Sequence, residues 1–301
     1  MKIEEIKKVL VVGAGTMGQQ IAAQCAVHGF DVVLYDIKQD ILDHALMRIN
    51  KLFAYFVSKN KYTQEEVDGA ASRITGTTSL QAAAAKADFV SESVPEDPDL
   101  KKKVFSQIHS LCPAHTIFTT NTSTLAPSMF AKETGRPEQL AALHFHDVRT
   151  TNIVDVMAHP GTSEETLRLV IAFAKKIGQL PIVLKKESPG YVFNFLLTAL
   201  FQAAQTLSAN GVASIEEVDR AWMGVMHMPI GPFGLMDGIG IDTLWKAADF
   251  WANQSKDGQH KKNAGFLKNY VDKGYLGQKS GQGFYTYPKP SYREPGFLMG
   301  E

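Results

Sequence analysis

The segment KVLVVGAGTMG, residues 8–18, decides the fold of this chain. It opens with a short Val-rich run of the kind found in a buried parallel strand, and the residues after the glycines have a helical pattern. Between the two, Gly13 permits a tight turn, Gly15 lets the backbone approach a pyrophosphate, and Gly18 allows close packing of the helix on the strand. A strand, a glycine-rich turn and a helix in this order predict a dinucleotide site.

Two neighbouring features favour one dinucleotide. A second strand pattern, residues 31–35, ends at Asp36, 18 positions after Gly18. Thr16 and Met17 begin the helix, so that the N–H groups of its first turn can meet the phosphates. An acid at position 36 accepts hydrogen bonds from the adenosine ribose hydroxyls and repels a 2′-phosphate, which favours NAD over NADP as the cofactor.

The rest of the chain divides into an alternating part and a helical part. Strand-like and helical segments alternate, which predicts an α/β fold with a Rossmann-like, doubly wound parallel sheet. After ESPG, residues 187–190, strand signals nearly stop and helical patterns follow. We therefore predict an NAD-binding domain at residues 1–187 and an all-helical domain at residues 188–301. The strand-like segments are residues 8–12, 31–35, 89–91, 116–119, 140–146, 153–157 and 181–184.

Composition argues against several classes of partner. The 301 residues carry 31 basic and 31 acidic side chains, so no net field attracts nucleic acid or an anionic membrane. No stretch approaches the ~18 consecutive apolar residues of a membrane span, and the first residues lack the apolar run of a signal peptide. Cys25 and Cys112 are predicted to be core thiols in a reducing compartment. We expect a cytoplasmic chain with no nucleic-acid or membrane partner.

Beyond the glycine-rich segment, the chain carries further motifs in a fixed order: ESVPEDPDLKKKVF (92–105), TNTSTL (120–125), SPGYVFNFLL (188–197), MPIGPFGLMDGIGID (228–242) and SGQGFYTY (280–287). Together they resemble the L-3-hydroxyacyl-CoA dehydrogenase family over nearly the whole chain. The resemblance implies an oxidoreductase that converts the 3-hydroxyl group of an acyl-CoA substrate to a ketone with NAD. It also implies that the helical domain forms a homodimer.

The resemblance assigns three residues to the cofactor in addition to the glycine-rich segment. Glu96 and Lys101 fall where the family has an acid and a lysine near the nicotinamide half. Asn121 ends a predicted strand at the carboxyl edge, where open α/β sheets bind ligands. A lysine on a helix is often only solvated, and for Lys101 that interpretation stays open.

Two further residues are assigned to the substrate and to catalysis. Ser123 matches the serine whose hydroxyl contacts the substrate oxygen beside the catalytic histidine, although a helix cap before residues 125–131 is an alternative. Asn194 matches the family's asparagine in the first helix of the second domain. A neutral amide in such an apolar segment needs a partner, and a substrate carbonyl supplies one.

The segment LHFHDVRTTNIVDV, residues 143–156, contains the predicted base. Hydride transfer to NAD needs a group that takes the hydroxyl proton, and an imidazole is suited to this role. The resemblance assigns the base to His144 and its orienting carboxylate to Asp155, with Asp147 as the alternative partner. The family reads His-Phe-Phe-Asn-Pro and later Val-Glu. In this chain Asn-Pro has become Asp-Val, the loop is one residue shorter, and an aspartate replaces the glutamate.

The histidines allow two other interpretations. If residues 140–146 form a strand, His144 and His146 point to one face and could share a metal with Asp147 or Asp155. A metal site needs three or four convergent ligands, and we predict no metal here. A purely structural role for His144 is the second interpretation, and the assigned serine and asparagine argue against it. His146 is then left without a role.

Coenzyme A needs cations for its phosphates, and the first long helical pattern offers Arg48, Lys51, Lys59 and Lys61. We predict Lys59 as the substrate contact. Leu52 stands where the family has a serine, so the support for a coenzyme A contact on this helix is weak. A charged run on a helix is commonly a solvated face.

These observations favour a reversible, NAD-dependent oxidation of L-3-hydroxyacyl-CoA to 3-ketoacyl-CoA, on a short chain such as 3-hydroxybutyryl-CoA. Residues 231–242 combine turn glycines with apolar residues, which suits the core of a helical dimer and also an interhelical turn of a monomer. The altered residues 147 and 148 leave a second hypothesis, a dehydrogenase of a non-CoA 3-hydroxy acid resembling gulonate or carnitine dehydrogenases. A third hypothesis is an NAD-binding protein without catalysis.

Overall fold

A computed structural model describes residues 1–300 of the chain, and within them eight strands form one sheet. The strands are β1 (Lys8–Val12), β2 (Asp31–Tyr35), β3 (Ile74–Thr77), β4 (Phe89–Glu92), β5 (Ile117–Thr120), β6 (Leu140–Phe145), β7 (Ile153–Ala158) and β8 (Leu180–Leu184). Their order across the sheet is β3-β2-β1-β4-β5-β6-β7-β8. Neighbouring strands are parallel, except that β6 and β7 form an antiparallel pair.

Within residues 1–300, α-helices connect most of the strands up to β8 and then follow one another. Those of the first part are α1 (Thr16–Val27), α2 (Gln39–Ser58), α3 (Gln64–Ala71), α4 (Leu80–Ala84), α5 (Pro98–His109) and α6 (Glu164–Lys176). Those of the second part are α7 (Phe193–Ala209), α8 (Ile215–Met226), α9 (Pro232–Ile239), α10 (Ile241–Gln254) and α11 (Gly258–Val271). The predicted Rossmann-like α/β fold with a helical C-terminal part is confirmed.

The direction of strand addition reverses beside β1. Strands β2 and β3 extend the sheet on one side of β1, and β4 and β5 extend it on the other. The carboxyl ends of β1 and β4 therefore flank a topological switch point, which is where open α/β sheets bind ligands. Strand β3, with the sequence ITGT, is absent from the predicted strands because it lies at the sheet edge and carries no buried apolar run.

Both faces of the sheet are buried, and the alternation along β1 shows how. Val9 and Val11 point into the apolar layer that α1, α2 and α6 cover. Leu10 and Val12 point into the opposite layer, which α4 and α5 cover. Each such side chain contributes about 1.5–3 kcal/mol on burial, so the strands that carry the candidate site are held firmly from both sides.

The chain divides into two compact units between Asn194 and Phe195, within α7. The domain boundary that we predict at residues 187/188 lies a few positions earlier. The segment before α7 belongs to the first unit because Tyr191 is buried against Ala142 and Met157 of the sheet. Asn194 is accordingly the last residue of the first unit.

The second unit has its own core, and two carboxylates are buried in it. Asp219 accepts hydrogen bonds from the backbone N–H groups of Phe233 and Gly234, at 2.8 and 2.9 Å. Asp237 accepts hydrogen bonds from the backbone N–H groups of Phe284 and Tyr285, both at 2.9 Å. These bonds tie α8 to the start of α9, and α9 to the extended C-terminal segment.

Two further expectations concern the whole chain. Among residues 1–300, no helix is both long and apolar enough to cross a membrane. Cys25 and Cys112 are free and buried, and burial raises the pKa of the Cys112 thiol to about 11. Both thiols therefore behave as small apolar core groups.

Candidate active site

The glycine-rich turn after β1 has the geometry that its sequence predicts. Gly13 has a φ of +102°, and a Cβ atom there would meet the carbonyl oxygen of Ser93 at 2.7 Å. A Cβ atom on Gly18 would lie 1.8 Å from the carbonyl oxygen of Gly13, so this position accepts only glycine. A Cβ atom on Gly15 would meet nothing within 4 Å. The turn is packed tightly against the protein at two glycines and is open at the third.

The residues around this open space fit NAD. Helix α1 begins at Thr16 with Gly15 as its N-cap and without a side-chain cap, so N–H groups of its first turn are free for a phosphate. The Asp36 carboxylate accepts hydrogen bonds from the N–H groups of Ala14 at 2.9 Å and Lys38 at 3.3 Å. A carboxylate has about four acceptor positions, so Asp36 keeps capacity for the ribose hydroxyls. Met17, the second residue of α1, is half-buried.

A buried ion pair lies at the carboxyl end of β4. The Lys101 ammonium donates to Glu92 Oε1 at 2.7 Å, and both side chains are almost fully buried. Lys101 also lies 3.4 Å from Glu96 Oε2 and donates to the Val94 carbonyl oxygen at 3.3 Å. Burial raises the pKa of Glu92 although Lys101 opposes this shift. Lys101 is therefore not a solvated helix residue, and its role at the cofactor stays a prediction.

Glu96 organises the loop that follows β5. Its Oε1 accepts hydrogen bonds from the backbone N–H groups of Ser123 and Thr124, both at 2.9 Å. The hydroxyls of Thr122 and Thr124 donate to the same oxygen. Although burial acts in the other direction, these bonds and the Lys101 ammonium hold the pKa of Glu96 below its usual value. The acid fixes the position of Ser123. The expected helix at residues 125–131 is reduced to a short 3₁₀ turn at Pro127–Met129.

Ser123, His144 and Asp155 form one hydrogen-bonded chain. Ser123 Oγ lies 3.2 Å from His144 Nε2, and His144 Nδ1 lies 3.1 Å from Asp155 Oδ2. His144 and Asp155 are buried side by side on the antiparallel strands β6 and β7, where they are register partners. Burial alone would raise the pKa of Asp155, but the histidine hydrogen bonds hold it below its usual value. Asp155 is therefore a carboxylate, and the ring nitrogens that face it carry the protons.

The structure separates the roles of His146 and Asp147. His146 Nε2 lies 3.1 Å from the same oxygen, Asp155 Oδ2, that His144 contacts. Asp147 instead accepts hydrogen bonds from the Arg149 guanidinium, with Nε 2.8 Å from Oδ1. His144, His146 and Asp155 present possible metal-binding atoms within 4.8 Å of one another. The two histidine nitrogens lie at hydrogen-bonding distance from Asp155 Oδ2, and we call these three residues the triad. The absence of a metal here stays a prediction.

Tyr191 covers His144. Its ring stacks on the His144 ring, with centroids 4.7 Å apart and planes at 3°. Its hydroxyl donates to the Thr122 carbonyl oxygen at 2.7 Å, and burial raises its pKa well above the usual value. Tyr191 has a φ of +54°, a left-handed conformation that is strained in a residue with a side chain. Strain of this kind is common where a side chain must be held in one functional position.

Two predicted asparagines lie close to these residues in sequence but differ in environment. Asn121 is buried, and its Oδ1 accepts a hydrogen bond from the N–H group of Phe145 at 2.7 Å. This bond connects the end of β5 to the end of β6, and so places Ser123 near His144. Asn194 is the second residue of α7 and is half-buried.

A cationic cavity of about 450 Å³ opens beside the start of α1. Its cations are Arg48 and Lys51 of α2 together with Arg149 of the loop between β6 and β7. Thr16, Gln19, Gln20, Leu52, Tyr55 and Thr150 complete the walls. Lys59 is the C-cap residue of α2 and is exposed, with its ammonium 5.8 Å from the centre of the Tyr55 ring. Of the four cations predicted on this helix, Arg48 and Lys51 therefore face the cavity.

Several residues of the site are missing from the sequence prediction. Glu92 and Tyr191 lie inside quoted motifs, but their burial cannot be seen in a linear pattern. Arg149 follows His144 by five positions, and no motif in the sequence marks it. His146 had a signal, because alternation along a strand places residues 144 and 146 on the same face.

Family models match both parts of the chain. The model described as "3-hydroxyacyl-CoA dehydrogenase, NAD binding domain" matches residues 8–188, and the model of the C-terminal domain of the same enzymes matches residues 190–287. A probable 3-hydroxybutyryl-CoA dehydrogenase of Bacillus subtilis (strain 168) is 35% identical over 284 residues, which cover 94% of this chain and 98% of that protein.

Solved structures of related proteins are similar over nearly the whole chain. A (S)-3-hydroxybutyryl-CoA dehydrogenase from Ralstonia eutropha is 34% identical, with a TM-score of 0.85 over 95% of this chain and 100% of that one. A structure described as "Substrate-directed dual catalysis of dicarbonyl compounds by diketoreductase" is 40% identical, with a TM-score of 0.86 over 94% of this chain and 99% of that one.

Proposed function

The chain belongs to the 3-hydroxyacyl-CoA dehydrogenase family of NAD-dependent oxidoreductases, and we propose that its substrate is a short-chain L-3-hydroxyacyl-CoA such as 3-hydroxybutyryl-CoA. The reaction is the reversible oxidation of the 3-hydroxyl group to a ketone. The observation that carries the proposed residue roles is the chain of hydrogen bonds from Ser123 through His144 to Asp155, at 3.2 and 3.1 Å.

His144 has the tautomer that a general base needs. Because Asp155 is a carboxylate that can only accept, His144 Nδ1 carries a proton and Nε2 keeps its lone pair. In the free protein, the Ser123 hydroxyl faces this lone pair. During oxidation His144 Nε2 takes the proton of the substrate hydroxyl, and Asp155 stabilises the imidazolium that forms. In the reverse direction the imidazolium returns the proton.

Several residues hold the reactants in place. Gly13, Gly15 and Gly18 shape the turn that receives the cofactor phosphates, and Asp36 receives the ribose. Bound NAD would supply the acceptor for the hydride of the substrate carbon. Ser123 donates a hydrogen bond to the substrate oxygen, and we assign Asn194 to the carbonyl of the thioester.

The cationic cavity supports an anionic substrate. Arg48, Lys51 and Arg149 line it, and Arg149 Nε donates hydrogen bonds to both carboxylate oxygens of Asp147. Arginine and lysine side chains bind phosphate groups strongly, which suits the pyrophosphate of coenzyme A. We therefore propose these three cations as the coenzyme A contacts. Lys59, the contact predicted from the sequence, is not among the residues that line the cavity, and its role stays a prediction.

The proposal is tested by measuring NADH consumption with acetoacetyl-CoA and with 3-ketoacyl-CoA substrates of increasing chain length. We expect turnover that is highest with the shortest chains. His144→Gln should lower kcat by about 10²- to 10⁴-fold, since a positioned acid–base group contributes roughly this factor. NAD should still raise the melting temperature of this variant. Absence of turnover at every chain length would refute the substrate assignment.

His159→Gln is a matched control for the loss of a buried imidazole. His159 follows β7 and is buried, and its Nε2 lies 2.8 Å from the Pro137 carbonyl oxygen, away from the triad. We expect this variant to keep the catalytic rate of the wild type. If both variants lost activity equally, the effect of His144→Gln would be structural, and the assignment of His144 as the base would fail.

A second candidate is a reductase of dicarbonyl compounds that lack coenzyme A. The 40% identity to the diketoreductase favours it, as do the altered residues after His144. The double variant Arg48→Ala, Lys51→Ala distinguishes the candidates. If coenzyme A is recognised, KM for acetoacetyl-CoA should rise severalfold, while the rate with a free diketone stays the same. A higher kcat/KM with free diketones than with any acyl-CoA would favour the second candidate.

We also propose that the protein is a homodimer through its helical unit. Several large apolar side chains of this unit are more than half exposed, which is unusual for a surface without a partner. Those on α8 and α10 are Val225, Met226, Phe250 and Trp251. Sedimentation equilibrium should give twice the mass of the chain, and a monomer at all concentrations would refute the proposal.

A further inference from the structure

Two imidazoles share one carboxylate oxygen in this site. His144 Nδ1 and His146 Nε2 each lie 3.1 Å from Asp155 Oδ2. The two rings are also close to each other, with centroids 4.8 Å apart in an edge-to-face arrangement. His144 and Asp155 are buried, whereas the His146 side chain is 17% exposed. The catalytic pair is therefore coupled to a third titratable group that solvent can reach.

His146 is held by contacts with Asp155 and with the ring of Phe193. It directly follows β6, and its ring packs edge-to-face on Phe193, with centroids 5.5 Å apart. Because Asp155 is ionised, the Nε2 atom that faces it carries a proton. His146 thus donates to Asp155 whether it is neutral or charged.

We propose that His146 is a positioning residue that sets the pH range of catalysis by sharing the charge of Asp155 with His144. This inference rests on the proposed function, in which His144 is the base. A carboxylate stabilises the protonated form of an adjacent imidazole. A second N–H donor on the same oxygen takes up part of that stabilisation, and a protonated His146 takes up most of it. His144 therefore loses its proton at a lower pH than it would beside Asp155 alone.

The coupling between the two histidines gives the effect its sign. Two positive rings at this separation repel each other, so the triad holds one extra proton more readily than two. In oxidation His144 must be neutral to act as the base. With His146 present, His144 stays neutral down to a lower pH. In reduction His144 must be protonated to act as the acid. With His146 present, His144 loses its proton at a lower pH, so the reduction rate also falls at a lower pH. His146 should therefore move both the acid limb of the oxidation profile and the basic limb of the reduction profile to lower pH.

Other groups around the triad do not replace His146 in this role. Asp155 receives its favourable charge interactions from the two histidines. The remaining neighbours are neutral, apolar or already paired: Tyr191, whose phenol stays protonated; Phe193 on α7; Ile182, the register partner of Asp155 on β8; Asp147, paired with Arg149; and Glu96, bound to Lys101 and the loop at residues 122–124.

The test compares two variants of His146 that separate donation from packing. His146→Phe keeps an aromatic ring against Phe193 and removes the N–H donor. His146→Gln keeps a donor near the position of Nε2 and removes the titrating ring. The pH dependence of kcat/KM is measured for oxidation of 3-hydroxybutyryl-CoA and for reduction of acetoacetyl-CoA. Thermal melting and NAD binding are measured in parallel to check that both variants fold.

In His146→Phe we expect the acid limb of oxidation and the basic limb of reduction to move up by about half to one pH unit. This shift corresponds to a roughly three- to tenfold change in the active fraction at a fixed pH on the limb. His146→Gln should move both limbs by less, because the neutral donor remains. Limbs that stay in place in His146→Phe, or move down, would overturn the inference. A change in kcat without a shift would mean that His146 is only structural.

A second readout does not depend on turnover. The imidazole nitrogen resonances of His144 can be followed against pH in the protein without substrate, and their midpoint should rise in His146→Phe. The activity of His144→Gln separates a failure of the proposed function from a failure of the role of His146. If His144→Gln remained active, the proposed function would fail. If His144→Gln were inactive and the midpoint did not move in His146→Phe, only the role of His146 would fail.

Discussion

Replacing Asp155 by Asn tests the catalytic pair most directly. The carboxylate of Asp155 is buried and accepts a hydrogen bond from His144 Nδ1 at 3.1 Å. Asparagine has nearly the same shape, so the packing between β6 and β7 should survive. The variant removes the negative charge that holds the His144 tautomer and stabilises its imidazolium. The expected effect is on kcat, with the binding of NAD unchanged.

The size of the effect follows from the bond that is lost. A hydrogen bond to a charged group contributes about 1.5–3 kcal/mol, and each 1.36 kcal/mol corresponds to a tenfold change in rate. Loss of the charge alone should therefore lower kcat by roughly 10- to 150-fold. If the asparagine amide turned its NH₂ group toward the ring, His144 would adopt the opposite tautomer and the loss would approach about 10⁴-fold.

The assay is the oxidation of NADH by acetoacetyl-CoA under saturating conditions. Asp155→Glu keeps the charge and should lose less activity than Asp155→Asn. Asp88→Asn is a matched control, because Asp88 also pairs with a histidine, His115, at 2.9 Å, but at the amino end of β1. We expect it to affect stability and not kcat. A kcat within about threefold of wild type in Asp155→Asn would refute the catalytic pair.

Three further predictions concern the glycine-rich turn, the buried ion pair and the core of the second unit. Gly15→Ala should keep the melting temperature, because its Cβ would enter open space, and should weaken NAD binding at least tenfold, because that space is where we expect the cofactor. Gly18→Ala should lower the melting temperature, because its Cβ would lie 1.8 Å from the Gly13 carbonyl oxygen. Lys101→Met leaves the buried Glu92 unpaired, and urea unfolding should reveal a loss of about 3–5 kcal/mol. Burial raises the pKa of Asp219 to about 6 from 3.8, so the folded state binds its proton more tightly than the unfolded chain. The free energy of unfolding should therefore fall by up to about 3 kcal/mol as pH rises from about 4 to 6, and Asp219→Asn should remove this component; an unchanged pH dependence in that variant would contradict it.

The sequence predicts the fold well because local signals and the global fold agree. The turn of residues 13–18 contains glycines for separate steric reasons: those for Gly13 and Gly18 are met in the structure, and the open space at Gly15 is compatible with the predicted approach of a pyrophosphate. Strand β3 escapes prediction because an exposed edge strand containing Gly76 has neither apolar alternation nor a buried run. A hydrophobic pattern in the sequence arises from burial, so a strand that is only slightly buried shows little of it.

The site is predicted less completely, since its chemistry depends on burial and on tertiary contacts. The residue type at Lys101 is visible in the sequence, but its burial against Glu92 is not. Ser123 is recognised through a motif, whereas its position depends on Glu96, 27 residues away. Tyr191 belongs to a motif read as helical, and its left-handed backbone places it on the His144 ring instead. Such contacts join segments that are distant in sequence, so no local pattern encodes them.

The aspartate at position 155 shows how the register of a strand pair resolves an apparent defect. An aspartate is shorter than the family's glutamate by about one carbon–carbon bond, so the sequence alone leaves open whether Asp155 reaches His144. In the structure His144 and Asp155 are direct register partners on antiparallel strands, so their side chains leave the same face at neighbouring points. The shorter aspartate side chain therefore reaches the His144 ring, with Oδ2 3.1 Å from Nδ1. Because side chains alternate along a strand, His146 lies on that face as well and reaches the same oxygen. The substitution and the second histidine therefore belong to one arrangement, in which a close carboxylate serves two imidazoles.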